Sequence, residues 1–541
     1  MSSADFLLVR PLKLDGAVSF SRASEATYWD SSGVLQTAPP NTLRVTYDPA
    51  DLSKAPYALV EKSKTNFIRN NTMAGAVRGV IGAGGALPER WAASGTSPPG
   101  RQWEVIDFGV INGIDYIDLR FSGTSSSNLG SLNFENVSGR PQVSAGQKWA
   151  SSLWIALLGG SFANVTAFQP NLMRVYNAST NVEDIASAGQ NSNITSEFKR
   201  FPAVAEVTRQ DAVSLDHYIR IAYVPGAPVD FTIRIGLPQL ESDEVTSPIK
   251  GSGSIVTRAA DVVGPGAGLV YSNVPITEPL WAAGTYALGA KVRNAQNFVF
   301  ESLVAGNTAA LTDKTKWLPL GITNRLKMFD KAVNSQTTAQ DALTVVVRAG
   351  QLANTLTLLN AAGAEVTVTQ SESGYLRKVS MVSHNVLSWY DFWYQEPQWV
   401  GDITIGDVPP YINSLLTVHV KSPGNQAALG GFFFGRAKFI GTTQWGLKAG
   451  ILSYSGEEED EFGNVTLLPR DSAKKMNFEV SIPRGYEDEV YRFLRANDNV
   501  EMVAIASTNW SMTQSYGYLG QWEVPLGIEG EKMPVEWRGL I

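Results

Sequence analysis

Ile117-Asp118-Leu119-Arg120-Phe121 alternates apolar and polar side chains at every step, and Phe231-Thr232-Ile233-Arg234-Ile235 repeats the pattern. Successive side chains of an extended chain point to opposite faces. Each stretch therefore lays its apolar residues on one side of a sheet and its polar residues on the other. Leu416-Thr417-Val418-His419-Val420 and Phe478-Glu479-Val480-Ser481-Ile482 read the same way. Turn-forming clusters such as Ser122-Gly123-Thr124-Ser125-Ser126-Ser127-Asn128 and Val224-Pro225-Gly226-Ala227-Pro228 cut the runs short, a rhythm that suits antiparallel sandwiches. The expected fold is all-β: several antiparallel β-sandwich (jelly-roll) domains plus one small aromatic β module. A short helix is expected near 486–495, where Glu487, Asp488 and Glu489 suit a helix N-terminus and Val490, Phe493 and Leu494 form an apolar stripe.

The chain has 541 residues, more than one core usually organises, so roughly three or four domains are expected. Apolar residues at 44% against charged residues at 18% make it globular rather than disordered. The net charge is −7 and the basic residues are scattered, which argues against nucleic-acid binding through phosphates. The absence of cysteine removes disulfides, thiolate nucleophiles and cysteine-based zinc sites together. The N-terminus lacks a basic segment followed by an apolar run, and no stretch of eighteen apolar residues occurs. Neither Sec-type export nor membrane insertion is expected.

Composition divides the chain into an N-terminal segment at 1–70, a large sandwich at 71–262, a linker with a small module at 263–323, and a C-terminal sandwich at 324–541. Gly251-Ser252-Gly253-Ser254 and Val263-Gly264-Pro265-Gly266-Ala267-Gly268 bracket the linker. No repeat of fixed period is apparent, which weighs against a solenoid or β-helix.

The opening carries Phe20-Ser21-Arg22-Ala23-Ser24-Glu25-Ala26-Thr27-Tyr28, then Asp30-Ser31-Ser32-Gly33-Val34-Leu35-Gln36-Thr37-Ala38, then Arg44, and finally Leu59-Val60-Glu61-Lys62-Ser63-Lys64-Thr65-Asn66. This progression resembles the opening of structural proteins of tailed-bacteriophage particles. In that class it precedes a jelly-roll similar to a carbohydrate-binding module, closed by phrases like Gly236-Leu237-Pro238-Gln239-Leu240-Glu241 and Thr257-Arg258-Ala259-Ala260-Asp261. Asp391-Phe392-Trp393-Tyr394, Asp407-Val408-Pro409-Pro410-Tyr411 and Gly441-Thr442-Thr443-Gln444-Trp445-Gly446 continue the likeness to phage particle proteins. The resemblance implies a virion location at the tail or particle surface, other particle proteins as partners, and a homo-oligomer, with a trimer the usual state.

The spacing of Trp281, Tyr286, Gly289 and Val292, with Trp317 beyond, is similar to small chitin-binding-type modules. Trp281, Tyr286 and Trp317 are candidate glycan contacts, because the C–H-rich face of a sugar stacks on an aromatic ring. The competing reading, which is preferred, makes them the core of a domain too small to build one otherwise. Trp389 and Trp393, in the densest aromatic stretch, are further candidates. Alternation there favours a core strand apolar on both faces, with a sugar platform or subunit contact as the second reading.

Glu457, Glu459 and Asp460 are weak calcium candidates, set against a solvated hairpin tip, since the run lacks the spacing and central glycine of a calcium loop. No other metal and no cofactor is expected. His217, His384 and His419 lie in separate segments. His419 reads as solvated and His217 as a buried edge residue, so no imidazole-based catalytic site is expected.

The leading expectation is a non-enzymatic, tail-associated phage component (tail fibre, tail tip, baseplate or appendage) giving scaffold and attachment to host-surface polysaccharide. A purely architectural virion protein, such as a capsid decoration, collar or baseplate component, is the alternative. A glycan depolymerase is the third reading, since glycosidases need only two suitably spaced carboxylates.

Overall fold

The computed structural model describes residues 5–94, 101–124, 129–179, 182–188, 193–371, 373–383, 388–394, 398–459, 465–508, 510–520, 522–525 and 532–540. They form two compact units, one from residues 20–262 and the other from residues 1–19 with 263–541. The fold is all-β, with antiparallel ladders in both. No helix among the described residues is long and apolar enough to cross a membrane.

In the 20–262 unit a six-stranded and a five-stranded sheet share one core. The two alternating stretches that opened the sequence reading are neighbours in the first sheet. Phe121 lies opposite Phe231, Leu119 opposite Ile233 and Ile117 opposite Ile235. All six are fully buried, and Phe121 stacks on Phe231 at 4.9 Å. The polar rungs between them are used as well. Arg234 donates to both carboxylate oxygens of Asp118 at 2.8 and 2.9 Å, the two-pronged geometry that makes arginine–carboxylate pairs strong. Phe168 from the second sheet meets Phe231 edge-on at 6.1 Å, closing the sandwich.

The opening motif has a structural task. Arg22 and Arg44, both buried, converge on Asp261, which also accepts the Glu61 backbone N–H at 2.9 Å. Glu61 pairs with Arg44 at 2.8 Å and Arg258 at 3.0 Å. Burial alone would raise the Glu61 pKa, but Arg258 and Arg44 hold it below the usual carboxylate value. Asn66 accepts from Ile68 N and Leu240 N and donates to Ile249 O, the last at 3.0 Å. The opening and closing phrases of the resemblance are thus the two halves of one buried ion-pair network.

The other unit is built on a 13-stranded sheet. Its longest strand, Leu415–Thr443, pairs with Thr337–Arg348, Thr355–Ala362 and Glu365–Gln370 over one core and with Asp5–Pro11 beside another. The first described strand therefore belongs with the C-terminal region rather than with residues 20–70. Phe6-Leu7-Leu8-Val9 is buried on both faces, and such a strand needs partners on both edges, here Leu415–Thr443 and Met502–Ile505. The expected helix spans Glu487–Ala496 and buries Val490 and Leu494 in this core. Residues 291–322 hold the small module as a three-stranded sheet.

Candidate functional site

In the unit that holds the C-terminal strands, a turn and a neighbouring loop carry exposed indoles beside a groove. The strand Leu415–Thr443 reverses through Gln444-Trp445-Gly446-Leu447 into Lys448–Ser453. Gly446 sits at φ 95°, a conformation glycine adopts without steric cost. The turn lifts Trp445 clear of the sheet, leaving it fully exposed at 102%. Its base is fixed. The Gln444 N–H donates to Glu479 O at 2.8 Å, and the Thr443 hydroxyl donates to Ala506 O at 2.8 Å.

The loop after Met502–Ile505 carries Trp510 and Met512, each more than half exposed. It is pinned by Thr513, which is fully buried and whose hydroxyl lies 2.8 Å from Ser507 O and 2.7 Å from Trp510 O. Trp445, Leu447, Ala449, Trp510 and Met512 line a groove of about 460 Å³, with Gln444 and Ser507 at its edge.

Trp445 also borders a second groove of about 770 Å³ with a polar lining. This one lies over the outer face of the paired strands Ser472–Ser481 and Met533–Gly539, where Asn477 stands opposite Glu536. The alternation Asn477-Phe478-Glu479-Val480 explains it: Phe478 and Val480 are buried while Asn477 and Glu479 face solvent. Lys448, Lys475 and Trp522 complete the lining. A flat indole flanked by amide, carboxylate and ammonium groups suits a sugar, whose C–H face stacks while its hydroxyls hydrogen-bond.

The sequence candidates fare differently. Trp317 is fully buried and donates its indole N–H to Ala309 O at 3.0 Å. Tyr286 packs edge-on against it at 5.3 Å and donates its hydroxyl to Ala282 O at 2.6 Å. Trp281 is partly buried. Trp317 and Tyr286 therefore form the module's core, and Trp317 has no face to offer a sugar. Trp389 and Trp393 lie in the short helix Trp389–Tyr394, not in a core strand. They are 79% and 70% exposed, and one helical turn sets them on the same face. Trp393→Ala is accordingly expected to leave the folded protein intact, with thermal unfolding moved by no more than about 2 °C; a collapse of the fold would reinstate the core reading.

Glu457 and Glu459 lie exposed on the hairpin strand Gly456–Glu459, whereas Asp460 lies outside the described residues. Among the described residues no group of three or more histidine, aspartate or glutamate side chains could hold a metal ion.

His419 corrects its sequence reading. It is buried and bonded through Nδ1 to the Thr344 hydroxyl at 2.8 Å. The polar face of its strand is covered, and burial, with Lys421 nearby, pushes its pKa down to about 4. His217 is buried as expected, but in a central strand with neighbours on both edges rather than at an edge. His384 lies outside the described residues.

Trp445 and Trp510 were missed as candidates by the sequence reading. The available signal was a tryptophan set among turn-forming or polar residues rather than in an apolar run.

No family model matches the chain, and no curated protein does. Among solved structures it is similar to an arabinose-bound α-L-arabinofuranosidase, at 14% identity over 42% of this chain with a TM-score of 0.24, spanning only 32% of that enzyme. The N-terminal CBM22 tandem domain of Paenibacillus barcinonensis Xyn10C aligns at 10% identity over 67% of this chain and 98% of that one, with a TM-score of 0.20. The adhesin domain of Epf from Streptococcus pyogenes aligns at 10% identity over 70% of this chain and 97% of that one, with a TM-score of 0.18.

Proposed function

We propose that the chain is a non-enzymatic structural component of a phage particle, tail-associated, that carries a glycan-attachment surface centred on Trp445. The observation that carries the glycan part is the fully exposed Trp445 indole, which lines a groove of about 460 Å³ together with Trp510 and Met512. Large aromatics are costly to leave in water without a partner, and here the loops holding them are rigidly tied to the sheet. The particle assignment is supported by the opening motif, whose residues build the frame of the 20–262 unit. Multiple copies on one particle would raise a weak sugar affinity through avidity.

The test is binding of purified protein to host-surface polysaccharide by calorimetry and glycan array. Trp445→Ala with Trp510→Ala is expected to weaken binding about 10- to 100-fold, roughly 1.4–2.8 kcal/mol, without changing the unfolding temperature, since both rings stand in solvent. If wild-type protein binds no glycan, the purely architectural reading takes its place. Release of new reducing ends would make it a depolymerase instead.

A further inference from the structure

The acidic run seen in the sequence belongs to a hairpin arm. Lys448–Ser453 pairs with the start of Ser472–Ser481, from Lys448 opposite Asn477 to Ser453 opposite Ser472. The ribbon continues as Gly456–Glu459 paired with Val465–Leu468. Ser455 and Arg470 stitch the two halves, the Arg470 N–H donating to the Ser455 hydroxyl at 3.1 Å. Among the described residues Lys448–Ser453 is the last strand of the large sheet in pairing order, with no strand on its outer edge.

All six of its residues are exposed. Ile451 (75%), Leu467 (67%) and Val465 (57%) hold apolar surface in water. A two-stranded ribbon is marginal by itself, and a long exposed apolar edge is a template for pairing. Charges along its free edge are segregated: Lys448 stands at the root and Glu457, Glu458 and Glu459 toward the tip.

We propose that this arm is a self-association element that pairs antiparallel with the same arm of a second copy of the chain. A two-fold axis through Ser453, which faces its own copy, sets Lys448 of one copy opposite Glu458 of the other, twice, and Leu452 opposite Tyr454. This self-complementarity is what a closed two-fold interface requires. At ~3.3 Å per residue the edge from Lys448 to Glu459 is about 36 Å long, and the side chains on its two faces make it about 10 Å deep. The contact thus covers roughly 700 Å² in total, below the ~1,200 Å² of stable complexes. The association is weak and concentration-dependent, and it is two-fold where the sequence resemblance implied a trimer.

Sedimentation velocity of the full chain from about 0.1 to 100 μM at low salt tests it. A monomer–dimer equilibrium weakened by added salt is expected. Glu458→Lys should weaken the dimer about tenfold by placing like charges opposite. The swap Lys448→Glu with Glu458→Lys, in one chain, should restore it to within about threefold. Because both positions are exposed, the variants should keep the wild-type fold by circular dichroism. A monomer throughout the range, a trimer, or a dimer indifferent to Glu458→Lys would each overturn the proposal. Lys448 also lines the polar groove beside Trp445, so the swap is read for self-association alone and glycan binding is followed on Glu458→Lys.

Discussion

Asp261→Ala is expected to destabilise the 20–262 unit by about 3–5 kcal/mol, the usual result of removing one partner from a buried ion pair. The side chains of Asp261, Arg22 and Arg44 are all fully buried. Arg22 would keep its bonds to the carbonyls of Ser24, Thr42 and Pro39 but lose its one counter-charge, and Arg44 would retain only Glu61. The Glu61 N–H would lose its acceptor too. Asp261→Asn, which keeps the shape and one acceptor, should cost less. For a unit of this size the alanine change lowers the melting temperature by roughly 6–20 °C. Urea denaturation followed through tryptophan fluorescence provides the check, since Trp91, Trp103, Trp149 and Trp154 are buried in this unit. A loss below about 1 kcal/mol would mean that the network is dispensable and that the opening motif is retained for some other reason.

Acid is expected to act on the same unit through His217. Its ring is fully buried against Phe134, 4.8 Å away, and neither ring nitrogen has a hydrogen-bond partner among the described residues. Burial pushes its pKa down to about 3. The fold therefore accepts only the neutral imidazole. Its contribution is complete above the unfolded value near 6.5 and is lost as pH falls from there toward 3, at about 1.4 kcal/mol per unit, on the order of 5 kcal/mol in all.

Glu61, whose pKa is lowered, adds its own loss only below its ordinary value of 4.5, whereas Glu241, whose pKa burial raises, takes up its proton above that value in the folded unit with the opposite sign, so the histidine's share is read as the difference between wild type and a variant at 217. Asp216, beside it in the chain, has a pKa raised by burial and is paired with Arg140. Leucine at 217 removes the titrating group and its orphaned nitrogens. The stability of His217→Leu should therefore fall less steeply below about pH 6.5, by about one proton. Identical slopes for the two proteins would show that His217 charges without unfolding the sandwich. His419, with a pKa of about 4, imposes the same sign on the other unit.

Alternation made the strands legible, and at Ile117–Phe121 and Phe231–Ile235 it identified the buried face residue by residue. It did not reveal what covers the opposite face. His419 reads as solvated, yet it is buried between Thr344 and Thr367, its partners on the two neighbouring strands, and Thr417 on the same face is buried too. A period of two groups residues by side; contact with water depends on packing from elsewhere in the chain.

Trp389–Tyr394 failed for a related reason. Five of its six residues are aromatic, so there is little polar contrast from which a period could be read, and the helix leaves Trp389, Tyr390, Trp393 and Tyr394 in solvent. The Trp445 groove was hidden more deeply. It is assembled from residues 443–449 and 506–513, two segments joined only by the pairing of distant strands. Glu457, Glu458 and Glu459, by contrast, lie exposed on a hairpin strand, and Asp460 and Glu461 lie outside the described residues.

The pairing of Asp5 with Thr442 and of Leu7 with Ile505 has a consequence for synthesis. The first strand leaves the ribosome long before either of its neighbours exists. At ~5–20 residues per second it waits roughly 20–90 s for the strand that covers one edge. During that interval residues 20–262, which hold all their own core partners, have time to fold. Phe6-Leu7-Leu8-Val9 meanwhile remains an unpaired apolar segment tethered to a finished domain. Chaperone capture, or premature pairing with a neighbouring nascent chain, would act on this segment, making translation speed and polysome crowding the variables that set the yield of correctly closed protein.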